Sequence, residues 1–210
     1  MTSLQIIPMG PPGAGKGTQS RRIASKFDLT HIELGEILRS NKDMETPYGT
    51  PREYMEQGEL VPDPVMNSLA EETISDADGF ILDGYPRTQA QLDFLDEITT
   101  IDIVLHIDVS EEILVERLTG RRKCDNCGTT YHVEFNRPNT PGECDDCGGS
   151  LMQRDDDTPK TIRTRVRKYE KKTAEIIDLY QNRGSLVTID GEQPPDAVWD
   201  DIHTAINAQK

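Results

Sequence analysis

The chain has 210 residues, with 23 Lys and Arg against 38 Asp and Glu, and a formal net charge of -15. That length allows one or two domains around a buried core, and the acidity argues against a protein built to coat nucleic acid, whose phosphates demand positive patches. No apolar run approaches the ~18 residues of a membrane span, and the first residues lack a basic segment followed by a long apolar stretch, so the expectation is a cytoplasmic protein without a membrane partner.

In chain order, residues 4–9 form a short apolar run ending at Gly10, which predicts a strand. Ile23, Ala24 and Phe27 fall at helical spacing within 16–27. A second buried strand is predicted over 79–82, running into Asp83-Gly84, and a third over 102–109. A fourth covers 185–189 and is closed by Asp190-Gly191. Helical patterns lie between them at 64–74, 89–97, 111–119 and 158–182. The last of these opens on Thr158-Pro159, an N-cap followed by proline, and stops at Gly184. Pro194-Pro195 opens a final helix through Trp199, Ile202 and Ile206. Strands alternating with helices predict an α/β fold, a parallel sheet flanked by helices. Two stretches interrupt the alternation: 34–62, polar and punctuated by Pro47, Pro51 and Pro62, and 122–157, which holds every cysteine. Pro8 is awkward in a first strand, because it removes a ladder donor.

The segment Gly10-Pro11-Pro12-Gly13-Ala14-Gly15-Lys16-Gly17-Thr18 follows a strand and opens a helix. Its glycines let backbone N–H groups cradle phosphate oxygens at a helix N-terminus, and Lys16 adds a mobile charge for the outer phosphates. The generic loop carries Ser or Thr directly after the lysine as a magnesium ligand. Here that place is Gly17, and the hydroxyl follows at Thr18.

Cys124, Cys127, Cys144 and Cys147 are spaced C-x2-C-x16-C-x2-C, and Gly128 and Gly148 follow the two pairs. The spacing predicts a closed tetrahedral zinc site, structural because no ligand position is left open. A small insertion with little apolar content needs such a staple to fold.

Lys16-Gly17-Thr18-Gln19 resembles the nucleoside monophosphate kinases, and Asp83-Gly84-Tyr85-Pro86-Arg87-Thr88 resembles the adenylate kinase motif. Arg117 to Arg122 is similar to the segment entering that family's ATP lid, and Arg154-Asp155-Asp156-Asp157 to the lid exit, with Arg163 and Arg165 after it. The likeness spans essentially the whole chain and extends to the adenylate kinases of halophilic archaea. It implies a P-loop core of residues 1–33, 63–121 and 158–210, an AMP-binding insertion at 34–62 and a zinc-binding lid at 122–157. It also implies magnesium-dependent phosphoryl transfer from ATP to AMP, giving two ADP, by a monomer.

In the family's pattern Gly13, Ala14, Gly15, Lys16, Gly17, Thr18, Arg117, Arg121, Thr130, Tyr131 and Gln193 would contact ATP. Leu34, Arg39, Glu59, Leu60, Val61, Gly84, Tyr85, Pro86, Arg87 and Gln91 would contact AMP, with Arg154 and Arg165 bridging the phosphates. Lys16, Arg87, Arg121, Arg154, Arg165 and Asp83 would carry the chemistry, Asp83 by orienting magnesium through water. The family usually reads Thr-Gly-Asp where this chain reads Leu34-Gly35-Glu36, so one polar contact to AMP is expected to be missing. The competing readings are a UMP or CMP kinase on the same scaffold, a zinc-ribbon nucleic-acid binder and a non-catalytic nucleotide sensor. The surface is rich in Asp (21, against 17 Glu) and poor in Lys (9, against 14 Arg), which suits concentrated salt, and stability is expected to rise with salt.

Overall fold

The structure, a computed structural model, describes residues 4–209. β1 (Gln5–Met9) leads through the glycine loop into α1 (Lys16–Phe27) and β2 (Thr30–Glu33). Then follow α2 (Leu34–Ser40), α3 (Pro51–Glu56), α4 (Asp63–Ser75), β3 (Phe80–Asp83), α5 (Gln89–Ile98), β4 (Ile103–Asp108) and α6 (Glu111–Thr119). The cysteine-bearing segment holds β5 (Arg121–Cys124), β6 (Thr130–His132) and β7 (Leu151–Met152). The chain ends with α7 (Pro159–Lys168), a π-helical turn over Tyr169–Thr173, α8 (Ala174–Arg183), β8 (Leu186–Asp190) and α9 (Pro195–Asn207).

The main sheet is parallel throughout, in the order β2-β3-β1-β4-β8. Strand alternation sends neighbouring residues to opposite faces. Ile7, Leu82 and Val104 pack with Leu92, Leu95 and Ile176 on one face. Ile6, Ile81 and Leu105 pack with Ile23, Leu118 and Ile202 on the other. Both faces are therefore covered, as a parallel sheet requires. A separate antiparallel sheet, β6-β5-β7, carries the cysteines.

The pairing accounts for Pro8. Leu4 O accepts from Phe80 N and Gln5 O from Asp102 N, so even-numbered residues of β1 direct their backbone groups at β3 and odd-numbered ones at β4. The donor that Pro8 lacks would face β3, where pairing ends at Ile6 and Ile81, whereas pairing with β4 continues to Met9 and His106. Proline therefore ends the β1–β3 ladder at this point and leaves the β1–β4 ladder intact.

Three expectations are corrected. The sheet has a fifth strand, β2, whose four residues are of mixed burial and too short to show a clear apolar pattern. The helix expected over 158–182 is interrupted at Tyr169–Thr173 by the π-helical turn, although Thr158 caps its start, accepting from Thr161 N at 3.3 Å, and Gly184 ends it in the left-handed region. Leu34, expected in an acceptor pocket, is fully buried in the core with Leu38, Val61 and Leu82. A hydroxyl at position 34 would meet that core, because α2 turns this position inward and presents Gly35, Leu38 and Arg39 to the cleft.

Candidate active site

The sheet sets the site at the carboxyl ends of its strands, where open parallel sheets bind ligands. β1 delivers the glycine loop, β2 ends at Glu33, and β3 ends at Asp83, which lies in register beside Glu33. The loop conformation depends on glycine. Gly10 has φ +147°, and a Cβ there would sit 2.5 Å from Ile107 O. Gly15, with φ 95°, is the N-cap of α1 and leaves the first turn's N–H groups facing outward. Lys16 folds back over the loop, donating to Gly10 O at 2.8 Å and Pro11 O at 2.9 Å. Gly17 faces Asp83: a Cβ there would lie 3.6 Å from Asp83 Oδ2.

One cleft is lined by Lys16, Gly35, Arg39, Arg87, Asp156 and Arg165. Further along, Met55, Leu60, Val61, Met66, Tyr85 and Tyr169 make an apolar and aromatic wall. Glu59, Gly84, Pro86 and Gln91 line it too. Arg87 is fixed by its own loop: Nε donates to Gly84 O at 2.8 Å, and its backbone N–H donates to Gln91 Oε1 at 2.7 Å. Gln91 is engaged at both ends, since Nε2 donates to Asp63 Oδ1 at 2.7 Å, so it holds the Arg87 loop in place. The Tyr85–Pro86 peptide bond is cis.

The cations are matched to carboxylates. Arg121 grips Asp157 with Nε and Nη2, at 2.8 and 2.6 Å. Arg165 reaches Asp156 at 3.0 Å and Asp157 at 3.5 Å. Arg39 and Arg154 both pair with Glu36, and Arg154 lies 3.6 Å from Glu33. Among the described residues, the Nε atoms of Arg39 and Arg154 are buried without an acceptor, which suits donors aimed at an anionic ligand.

The ATP-side candidates are brought together only in part. Arg117 donates to Gly191 O at 3.0 Å, near Gln193, whose side chain bonds Asp190 O and Asp201. Thr130 lies beside Arg21, which donates to Gly128 O at 2.6 Å and ties α1 to the cysteine segment. Thr18 is exposed on the first turn of α1. Tyr131 departs from expectation. Its ring is buried in the small sheet, and its hydroxyl accepts from Asp145 N at 2.8 Å beside Cys144. It stabilises a cysteine knuckle, because β6 turns residue 131 away from the face that carries Thr130.

The four cysteine Sγ atoms lie within 4.8 Å of one another, and all four thiols are free. Tetrahedral thiolates at about 2.3 Å from zinc stand about 3.8 Å apart, so these four can close around the ion with little movement. Gly128 N and Gly148 N each return to the first cysteine of their pair, at 3.2 and 2.8 Å, which shapes two matching knuckles.

Several site residues escaped the sequence reading. Asp156 and Asp157 neutralise the arginines, Glu33 closes β2, and Lys168 at the end of α7 and Tyr169 and Thr173 of the π-helical turn line the cleft. Lys123 is only 8 % exposed and lies 2.9 Å from Glu36 and 3.4 Å from Glu33. Arg121 and Lys123 share one face of β5, a period-two signal readable only once that strand is known.

Burial drives the Lys16 ammonium down to about 8; Asp83 opposes this, and Arg87, Arg165 and Arg121 add to it. Between about 8 and the ordinary lysine value the nucleotide-free protein holds this proton less tightly than a phosphate-bound one. Binding of ATP at about pH 9 should therefore take up protons, and binding at about pH 7 should take up almost none. Calorimetry in buffers of different ionisation enthalpy reads the uptake, and Lys16→Met should abolish it.

Comparison with known proteins agrees with this geometry. A sequence model of the family described as adenylate kinase matches residues 8–185. The adenylate kinase of Haloarcula marismortui is 53% identical over 213 residues, covering 99% of each chain. That of Halobacterium salinarum is 49% identical, covering 99% of this chain and 98% of its own. That of Symbiobacterium thermophilum is 44% identical, covering 99% and 100%. A phosphate loop, an arginine-lined cleft and full-length likeness to these enzymes lead to one conclusion: the chain belongs to the adenylate kinase family, which transfers a phosphoryl group from ATP to AMP.

Proposed function

We propose that this enzyme makes two ADP from ATP and AMP by alignment and charge neutralisation alone, with the roles divided between the two ends of the cleft. The acceptor is a phosphate oxygen, already anionic near neutral pH, so no side chain has to remove a proton from it. What remains is to hold donor and acceptor in line and to stabilise charge on the transferring group. The single observation that carries this reading is the convergence of Lys16, Arg39, Arg87 and Arg165 on one cleft beside the glycine loop.

On the donor side, residues 13–18 and Lys16 receive the ATP phosphates, and Arg117, Thr130 and Gln193 lie toward its base. On the acceptor side, Arg39 and Arg87 receive the AMP phosphate, and the wall of Leu60, Val61 and Met66 receives its base. Arg121, Arg154 and Arg165 act between the phosphates. Magnesium enters with ATP as part of the substrate. Asp83 takes over the organising role that a hydroxyl after the lysine plays in the generic loop, since the glycine at 17 leaves its carboxylate open to that side.

In this reading residues 34–62 close over AMP and residues 122–157 form the lid over ATP. The cysteines hold a structural zinc that fixes the small sheet and so places Arg121. The enzyme acts as a monomer in the cytoplasm; among the described residues no helix is long and apolar enough to cross a membrane. The acidic surface and the likeness to enzymes of Haloarcula and Halobacterium support adaptation to high salt.

Replacing Arg87 by Ala removes a charge-assisted phosphate contact worth about 1.5–3 kcal/mol. The expected result is a fall of roughly ten- to a hundredfold in kcat/KM for AMP, with an unchanged Tm. An unchanged kcat/KM would refute the assignment. Elemental analysis should find one zinc per chain, and Cys144→Ser should lose the metal and lower Tm; a metal-free native protein would reject the zinc reading.

A further inference from the structure

Lys123 is a cation of the lid that no nucleotide role accounts for. Strand alternation on β5 places it on the same face as Arg121, toward the cleft. Its ammonium crosses to the acceptor side, 2.9 Å from Glu36 on α2 and 3.4 Å from Glu33 at the end of β2. Arg154 pairs with both of these carboxylates, and Arg39 with Glu36. The two kinds of cation differ in what they can do next. Arg39 and Arg154 each keep a buried Nε donor without an acceptor among the described residues, and phosphate oxygens compete well for planar guanidinium forks. Lys123 is held on the central strand of the small sheet, one residue before Cys124, so the cysteine knuckle fixes its backbone.

We propose that Lys123 is a positioning residue, a latch that holds the closed lid to the acceptor side through Glu33 and Glu36 while the arginines turn to the phosphates. Without it, the arrival of the nucleotides would strip Glu36 of its arginine partners and leave a carboxylate facing anionic substrate. With it, the lid carries its own counterion for these acids, and closure persists through phosphoryl transfer. The environment of Glu36 agrees. Burial works to raise its carboxyl, yet Arg39, Arg154 and Lys123 outweigh burial and hold it at about 2. The proposal rests on the reading of 122–157 as a lid over ATP; Arg87→Ala tests the kinase assignment separately.

The test is Lys123→Met, with Lys123→Arg as the conservative control and Glu33→Gln as the variant on the other side of the contact. Glu33→Gln lies outside the cysteine-bearing segment, so it keeps the test open if Lys123→Met disturbs the knuckle. KM for ATP and for AMP should rise on the order of tenfold in Lys123→Met and by a smaller, measurable factor in Glu33→Gln, which keeps the 2.9 Å contact to Glu36. kcat should hold or rise, because lid opening is made easier and not harder. N-methylanthraniloyl-ATP should dissociate faster by the same factor in stopped-flow measurements. Lys123→Arg should restore wild-type values, and the Lys123→Met/Glu33→Gln double variant should be no worse than Lys123→Met alone. Unchanged KM and dissociation rate in Glu33→Gln would overturn the proposal. So would a loss of kcat at constant KM in Lys123→Met, which would place Lys123 on the reacting phosphates. Additive effects in the double variant would overturn the pairing.

Discussion

An acidic chain has to hold a group of half-buried cations at one place with little water to solvate them. Lys16, Arg87, Arg121 and Arg165 are all pushed toward neutrality by burial, Lys16 to about 8 and Arg121 to about 10. A buried charge is tolerated only when it is paired and hydrogen-bonded. Asp156 and Asp157 pair with Arg121 and Arg165, Glu33 and Glu36 pair with the neighbouring Arg39 and Arg154, and Lys16 and Arg87 bond backbone carbonyls and feel the charge of Asp83. Phosphates can then displace carboxylates, a trade of one anion for another. Binding is in this sense an exchange of partners around a fixed set of positive charges.

The rest of the fold serves that exchange. β1 sits at the centre of a parallel sheet covered on both faces, so its end is a rigid point from which the glycine loop starts. β2 and β3 end in register at Glu33 and Asp83, which brings carboxylates to the same rim as the loop. The arginines come from segments that the sheet does not contain: α2, the 84–88 loop, β5, the 154–157 turn and α7. Those segments need anchors of their own. Gln91 secures the Arg87 loop, the cysteine knuckles secure β5, and Thr158 caps α7.

Much of this was legible in the sequence, for identifiable reasons. The loop over 10–18 and the 83–88 motif combine residue types that few other structures require together, and the cysteine spacing has one good chemical explanation. The buried strands announced themselves as apolar runs. What was hidden depended on facing. Leu34 and Tyr131 sit in segments that line the site, but each turns inward, and no linear pattern tells which side of a one-turn boundary or a three-residue strand a side chain takes. β2 is too short and too mixed to register. The π-helical turn at 169–173 leaves the helical pattern intact on both sides. The carboxylate partners were hidden because Asp and Glu are the commonest charges in this chain, and only the tertiary fold selects the few that meet an arginine.

The most direct test of partner exchange is the stability of Asp156→Asn/Asp157→Asn with and without nucleotide. These acids neutralise Arg121 and Arg165 only until phosphates do so, and the substitution keeps shape while removing charge. The account predicts that Tm of the nucleotide-free variant falls well below that of the parent, while Tm under saturating ATP and AMP falls much less, so that nucleotides raise Tm by more in the variant than in the parent. Equal losses with and without nucleotide, or no loss in the nucleotide-free protein, would contradict it.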